Sequence, residues 1–259
     1  MRHAAEAGDN AGIMLDTPPR LLLSVPNVAA SMARDGYALV APAGLQSMAG
    51  TALPDLSITA RAWANLPPDG YLRDGGHYRR RRHTSLIVET ATGVIVNIAQ
   101  RAHWQPVDYN ALHGGLERWY EPIEADLLAQ PGWQALVSRL GALFTGLRPT
   151  DRWHVEAHQF RIDTAGGIGR PTPEGAHRDG VDFVAVVLIE RHGVKGGETR
   201  VFESGGPRGL RFTMIEPWTT LLLDDNRVIH ETSPVQPLGS DGYRDTLVLT
   251  YRADGFLGP

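Results

Sequence analysis

The sequence predicts a mainly β protein with some α, in which a helical N-terminal layer covers a sandwich, barrel or jelly roll. Three observations lead there. Hydrophobic residues make up 42% of the 259 and charged residues 21%, enough apolar material for a packed core. Up to about residue 150 the apolar residues recur mostly at helical spacing. Beyond it the period drops to two, in short runs parted by turns such as Gly166-Gly167, Pro171-Thr172-Pro173, Gly196-Gly197, Gly205-Gly206-Pro207 and Gly239-Ser240-Asp241-Gly242.

Residues 1–20 are expected to be a flexible leader, because Glu6 and Asp9 stand where a secretory signal carries its apolar stretch. Residues 26–34 read as a short helix closed by Asp35-Gly36, and 37–40 as a strand. Residues 55–66 carry near-helical spacing and stop at Pro67-Pro68. Residues 84–89 and 94–99 read as strands joined through Thr90-Ala91-Thr92-Gly93, a hairpin signal. Residues 109–120 and 133–147 are amphipathic helix candidates, the second with Leu136, Leu140, Leu143 and Phe144 on one face. Strands are then predicted at 155–163, 182–190, 199–203, 211–216, 219–223, 227–232 and 245–252. Trp104, Trp119, Trp133 and Trp153 are expected to pack the helical layer on the sheet. With no repeat or linker, residues 21–259 read as one domain, its helical layer roughly 21–150 and its β core roughly 151–253.

Composition removes several function classes. The formal charge of -4 argues against coating nucleic acid or an anionic membrane. No apolar run approaches the ~20 residues that span a bilayer, so a soluble, cytoplasmic protein is expected. The absence of Cys excludes disulfides, thiolate metal sites and Cys nucleophiles. Any metal site is therefore built from His, Asp and Glu.

Three positions stand out among ten His residues and their neighbours: His177 and Asp179 in His177-Arg178-Asp179, and His230, which follows 51 residues after Asp179. In an extended segment His177 and Asp179 point the same way and Arg178 points oppositely. A third ligand from a strand on the facing sheet would complete two His and one carboxylate on one face of a metal, the facial arrangement of non-haem Fe(II) oxygen chemistry. Arg244 lies 14 residues after His230 and opens an apolar strand. A hairpin through residues 237–242 is expected to return that strand beside His230, so that Arg244 enters near the metal and needs an anion there.

These residues, in this order, resemble the Fe(II)/2-oxoglutarate-dependent dioxygenases. His158-Gln159-Phe160-Arg161-Ile162, Gly196-Gly197-Glu198-Thr199, Asp224 to His230 and Gly242-Tyr243-Arg244-Asp245 are similar to the branch holding L-isoleucine 4-hydroxylase and related free-amino-acid hydroxylases. The likeness covers roughly residues 20–253 in layout, and its sharp motifs lie after residue 153. It implies a double-stranded β-helix (jelly roll, cupin-like) core with Fe(II) bound by His177, Asp179 and His230. It also implies 2-oxoglutarate and O2 as co-substrates, with the far carboxylate of 2-oxoglutarate on Arg244, Thr246 adding a hydroxyl and Gln159 lining the pocket. The implied reaction hydroxylates an unactivated C–H of a free L-amino acid and releases succinate and CO2. Related halogenases lack the carboxylate ligand, so Asp179 favours hydroxylation or desaturation.

Other motifs carry less. His154-Val155-Glu156-Ala157-His158 has its Glu one place late for a zinc-protease helix and reads as a strand. Gly166-Gly167-Ile168-Gly169 reads as a lip over the site, not a phosphate loop. The run Arg79-Arg80-Arg81-Arg82 reads as a solvated strand edge, or as the holder of a substrate carboxylate through Arg80 and Arg82, which share a face. Rival functions are a hydroxylase of peptide-bound or natural-product substrates, a non-catalytic cupin-like binding module, and a Zn- or Mn-dependent hydrolase or isomerase.

Overall fold

The computed structural model describes residues 13–15, 19–50, 61–110, 112–206 and 208–259. In chain order its first elements are β1 (Ile13–Leu15), α1 (Val25–Asp35), β2 (Tyr37–Val40), α2 (Pro42–Ala49), β3 (Arg79–Glu89) and β4 (Ile95–Asn97). The short α3 (Ala125–Leu128) and the long α4 (Pro131–Leu147) follow, then β5 (Arg152–Asp163), β6 (Phe183–His192), β7 (Val194–Gly196) and β8 (Thr199–Glu203). The chain ends with β9 (Arg208–Phe212), β10 (Thr220–Asp224), β11 (Val228–Thr232), β12 (Val235–Pro237) and β13 (Tyr243–Arg252).

Two sheets face each other. The larger has the order β2-β10-β6-β13-β5-β3-β4 and the smaller β1-β9-β8-β11, with β12 and β7 forming a separate pair. Neighbours in the larger sheet are all antiparallel. This is the jelly-roll architecture expected from the period-two runs. Part of the expected leader is ordered into it, since β1 runs parallel to β9.

The larger sheet has two faces with different work. Its outer face carries Leu86, Val88, Trp153, Val155, Ala157, Leu247, Leu249 and Tyr251, packed against Val28 and Met32 of α1, Leu45 of α2 and Leu136, Leu140 and Phe144 of α4. Pro131 opens α4, where a missing N–H costs nothing. Tyr251 Oη donates to Val137 O at 2.9 Å, and Trp153 Nε1 donates to Gly141 O at 3.0 Å, tying the helix to the sheet. Gly141 is the point of close approach, where a Cβ would touch Trp153 and Val88, both at 3.4 Å. The inner face meets the smaller sheet through Val184, Leu188, Val201, Leu210, Leu221 and Val228, and the rest of that interior is a polar cavity.

Several sequence expectations change. The described residues of 109–120 form no helix. Gly114-Gly115 breaks the spacing, Gly115 adopts a positive φ of 73°, and His103 bridges Arg118 in an antiparallel pair instead. Of residues 55–66, only 61–66 lie within the described part, with 61–64 helical. The strand expected at 211–216 is β9, shifted to Arg208–Phe212. The expected hairpin between His230 and Arg244 does not form, since β11 pairs with β8 while β13 pairs with β5 and β6 in the opposite sheet. Trp119 is 56% exposed and plays no part in the packing of the helical layer. No helix among the described residues is long and apolar enough to cross a membrane.

Candidate active site

His177 sits in the loop before β6, and that loop docks against β11. His177 N donates to His230 O and His230 N donates to His177 O, both at 3.0 Å, so the two residues face each other as a hydrogen-bonded antiparallel pair. Their rings lie 4.7 Å apart. The two His positions are therefore neighbours on one sheet, not partners from facing sheets. Asp179 completes the group: its two carboxylate oxygens lie 3.9 Å from His177 Nε2 and 3.9 Å from His230 Nε2.

The neighbours orient these groups. His177 Nδ1 donates to Gly175 O at 2.9 Å, which leaves the Nε2 lone pair directed at the other two. Gln105 Nε2 donates to Asp179 Oδ1 at 3.3 Å. Asp225, fully buried, accepts the backbone N–H groups of Asp179, Gly180 and Val181 at 3.0, 2.8 and 3.1 Å and so pins the turn that carries Asp179. Burial, followed by the nearby charge of Asp179, raises the Asp225 carboxyl above its usual range. Burial works against charge on His177, but Asp179 and Glu174 outweigh it and raise its pKa; burial and His177 hold His230 well below its ordinary value.

The triad opens onto a cavity between the sheets whose opposite wall comes from the inner face of β3, β5 and β13. Alternation decides which residues reach it: Arg79 and Arg81 on β3, His158, Phe160 and Ile162 on β5, and Arg244, Thr246, Val248 and Thr250 on β13. Arg244 is 3% exposed, and its Nε and Nη2 have no partner. Burial, then repulsion from Arg191, lowers its pKa to about 10, still charged at neutral pH. Gly197, at φ 67°, lies beside this side chain, and a Cβ there would stand 2.9 Å from Val235 Cγ1 and 3.0 Å from Arg191 Nη1.

The same alternation corrects three expectations. Gln159 is buried but lies on the outer face with its register partners Arg82 and Leu247, so it does not line the cavity. Arg80 approaches Asp163 at 3.5 Å, and Arg82 donates to Glu121 at 2.8 Å, both away from the cavity. Arg79 and Arg81 occupy the inner face instead.

Sequence reasoning missed a second group at that same wall. Glu156 Oε1 lies 3.2 Å from His83 Nε2 and Oε2 lies 3.0 Å from His103 Nδ1, while Arg81 Nη2 meets His158 Nδ1 at 2.7 Å. All four of His83, His103, Glu156 and His158 are buried, close enough in donor type and distance to resemble a metal set. Here the carboxylate accepts from two imidazoles and a guanidinium occupies the third ring, so the donors are paired with one another. Burial opposes the charge on Glu156, but the two imidazoles prevail and hold its pKa far below the carboxylate range; burial lowers His103 to about 4. The signal was present in the alternate His and Glu of residues 154–158 and the basic run on β3. Asn110, His113 and Arg118, which also line the cavity, were hidden by the helical reading of 109–120, and Gln105, just before it, carried no local signal.

A family model described as 2OG-Fe dioxygenase matches residues 60–250. The chain belongs to the 2OG-Fe dioxygenase family. It is therefore a 2-oxoglutarate-dependent dioxygenase that uses Fe(II), 2-oxoglutarate and O2, which removes the binding-module and hydrolase readings. The crystal structure of a bsmA homolog from Methylobium petroleophilum PM1 is 51% identical, with a TM-score of 0.88, covering 93% of this chain and 98% of that one. IDO from Bacillus thuringiensis shares the fold at 17% identity and TM-score 0.71, covering 93% of this chain and 100% of that one. The Fe(II)/α-ketoglutarate-dependent dioxygenase TqaL shares it at 20% and 0.66, covering 88% and 86%. Curated protein sequences give no match.

The dioxygenase's residues fit its cofactors. Three ligand atoms of the types Fe(II) prefers lie within 4.8 Å of one another. In the same cavity, a buried guanidinium with two unpaired donors awaits an anion.

Proposed function

We propose that this dioxygenase hydroxylates an unactivated C–H of a free L-amino acid, with Fe(II) held by His177, Asp179 and His230. The observation that carries the site assignment is Arg244, a buried charge with unpaired N–H donors in the cavity that the triad opens onto. Leaving such a charge unpaired is costly, and the far carboxylate of 2-oxoglutarate pairs with it. Thr246, on the same strand face two residues on, lines the cavity and supplies a hydroxyl to that carboxylate.

When bound, iron would activate O2, one oxygen atom going to the substrate C–H and the other to 2-oxoglutarate, which supplies two electrons and leaves as succinate and CO2. The chain's residues do the rest. The imidazoles of His177 and His230 and the Asp179 carboxylate would hold the metal. Gly175 O fixes the His177 tautomer, and Gln105 steadies Asp179. Phe160, Ile162, Val186 and Val248 give the cavity an apolar stretch suited to an aliphatic side chain and exclude water from it.

The test is a screen of free L-amino acids with Fe(II), 2-oxoglutarate and O2, measuring succinate release and a product 16 Da heavier by mass spectrometry, about one oxygen atom's gain. Stimulation by one amino acid or a few related ones is expected. Succinate release stimulated only by peptides or natural-product scaffolds would overturn the amino-acid reading. Intact hydroxylation by Asp179→Ala would remove that residue from the ligand set.

A further inference from the structure

The wall of the cavity away from Arg244 is charged at two poles. Arg79, Arg81 and Arg118 are 5%, 3% and 2% exposed, and each keeps one buried N–H without a partner: Nη2 of Arg79, Nε of Arg81 and Nε of Arg118. Other donors of each are paired. Arg79 Nε binds Asp69 at 2.7 Å, Arg81 binds Tyr120 Oη and His158, and Arg118 Nη2 binds Gln105 Oε1 at 2.9 Å. The second pole is Glu174, whose Oε2 is buried and unpartnered and which forms no ion pair with any of the three guanidiniums. Both poles line the cavity that holds the triad.

Orphaned buried groups of both signs in one cavity describe a ligand that carries both. Among the described residues Asp69 is the one carboxylate that ion-pairs with these three guanidiniums, so the wall retains an excess positive charge that an anion neutralises. Glu174 Oε2 needs a donor, and an ammonium supplies one with charge assistance. We propose that Arg79 and Arg118 bind the α-carboxylate of the substrate and that Glu174 binds its α-ammonium. This rests on the amino-acid reading above and deepens it by assigning the residues that select a zwitterion. Glu174 Oε1 lies 3.6 Å from His177 Nε2, which sets the ammonium near the metal side of the cavity. Arg118 is linked through Gln105 to Asp179, so the carboxylate pole and a metal ligand share one hydrogen-bonded chain.

The experiment uses the full-length enzyme loaded anaerobically with Fe(II) and 2-oxoglutarate. Whichever protein L-amino acid releases most succinate in the screen is titrated beside its C-terminal amide and its des-amino acid, and Kd is measured by calorimetry. Each missing charge is expected to weaken binding to the wild type by about 10- to 100-fold, the range for one charge-assisted hydrogen bond. Arg118→Gln is expected to erase the preference for acid over amide while keeping the preference for amine over des-amino acid. Glu174→Gln is expected to do the reverse, and Arg118→Lys to restore part of what Arg118→Gln loses. A merely structural role would weaken all three ligands alike, without this crossed pattern. If the wild type hydroxylates an amino acid but binds all three ligands equally, or if both variants keep both preferences, the clamp is wrong and the amino-acid reading stands. If no amino acid is accepted, both fall.

Discussion

Asp225 is the residue whose removal tests the architecture of the site most directly. It touches neither cavity nor substrate, yet three consecutive backbone N–H groups at Asp179, Gly180 and Val181 converge on its carboxylate. In Asp225→Ala those donors are left buried. An unmet buried donor costs about 1–3 kcal/mol, and bonds to a charged acceptor contribute about 1.5–3 each. The three share one acceptor, and removing Asp225 relieves its repulsion with Asp179, so we expect a loss near the low end, roughly 3–4 kcal/mol. That is a large fraction of a typical 5–15 kcal/mol stability. Urea unfolding with metal chelated measures it without contribution from metal binding. Asp225→Asn is the discriminating variant. It preserves volume but turns an N–H2 group toward donors, so we expect it to lose nearly as much as Ala and to weaken Fe(II) affinity. An Asn variant within about 0.5 kcal/mol of wild type would show that packing, not hydrogen bonding, holds the turn, and would refute the reasoning.

Three further outcomes follow from the same geometry. His103 is held neutral when folded, its pKa lowered from 6.5 to about 4 by burial; the unfolded chain binds the extra proton, so stability present above pH 6.5 is lost as pH falls toward 4, by up to about 1.4 kcal/mol per unit. His83 and His158 shift the same way, and a urea midpoint unchanged between pH 7 and pH 5 would contradict this. Arg244→Met is expected to weaken 2-oxoglutarate binding by at least about 10-fold and to melt no lower than the wild type without 2-oxoglutarate, because it removes a buried unpaired charge; a large fall in Tm would show that Arg244 is structural. Tyr251→Phe deletes only the bond to Val137 O and is expected to cost about 1 kcal/mol, or about 2–4 °C in Tm, with differential scanning calorimetry as the check.

The β core was legible because its strands are long and their burial pattern is plain: residues 155–163 and 245–252 sit inside β5 and β13, and 182–190 overlaps β6 from its first residue, Phe183. The grouping of His177, Asp179, His230 and Arg244 in one cavity was legible from residue type and order. What escaped was side and context. Arg80 and Arg82 share a face, as alternation requires, but nothing local says which face of β3 turns inward; register with β5 decides that. Gln159 failed for the same reason. The loop holding Asn110, His113 and Arg118 escaped because apolar spacing suggested a helix, whereas Asn110 Oδ1 caps His113 N and Gly114-Gly115 turns the chain. The pairing of β11 with β8, and not with β13, is a long-range choice between sheets that turn sequence does not encode.

The division of β3, β5 and β13 into a face that packs helices and a face that handles charge restricts how this protein can diverge. One residue gained or lost inside any of these strands would carry every guanidinium beyond it into the oily layer and push Leu and Val toward iron. Descendants can thus alter their chemistry by exchanging side chains one at a time, while length changes are confined to the connecting loops.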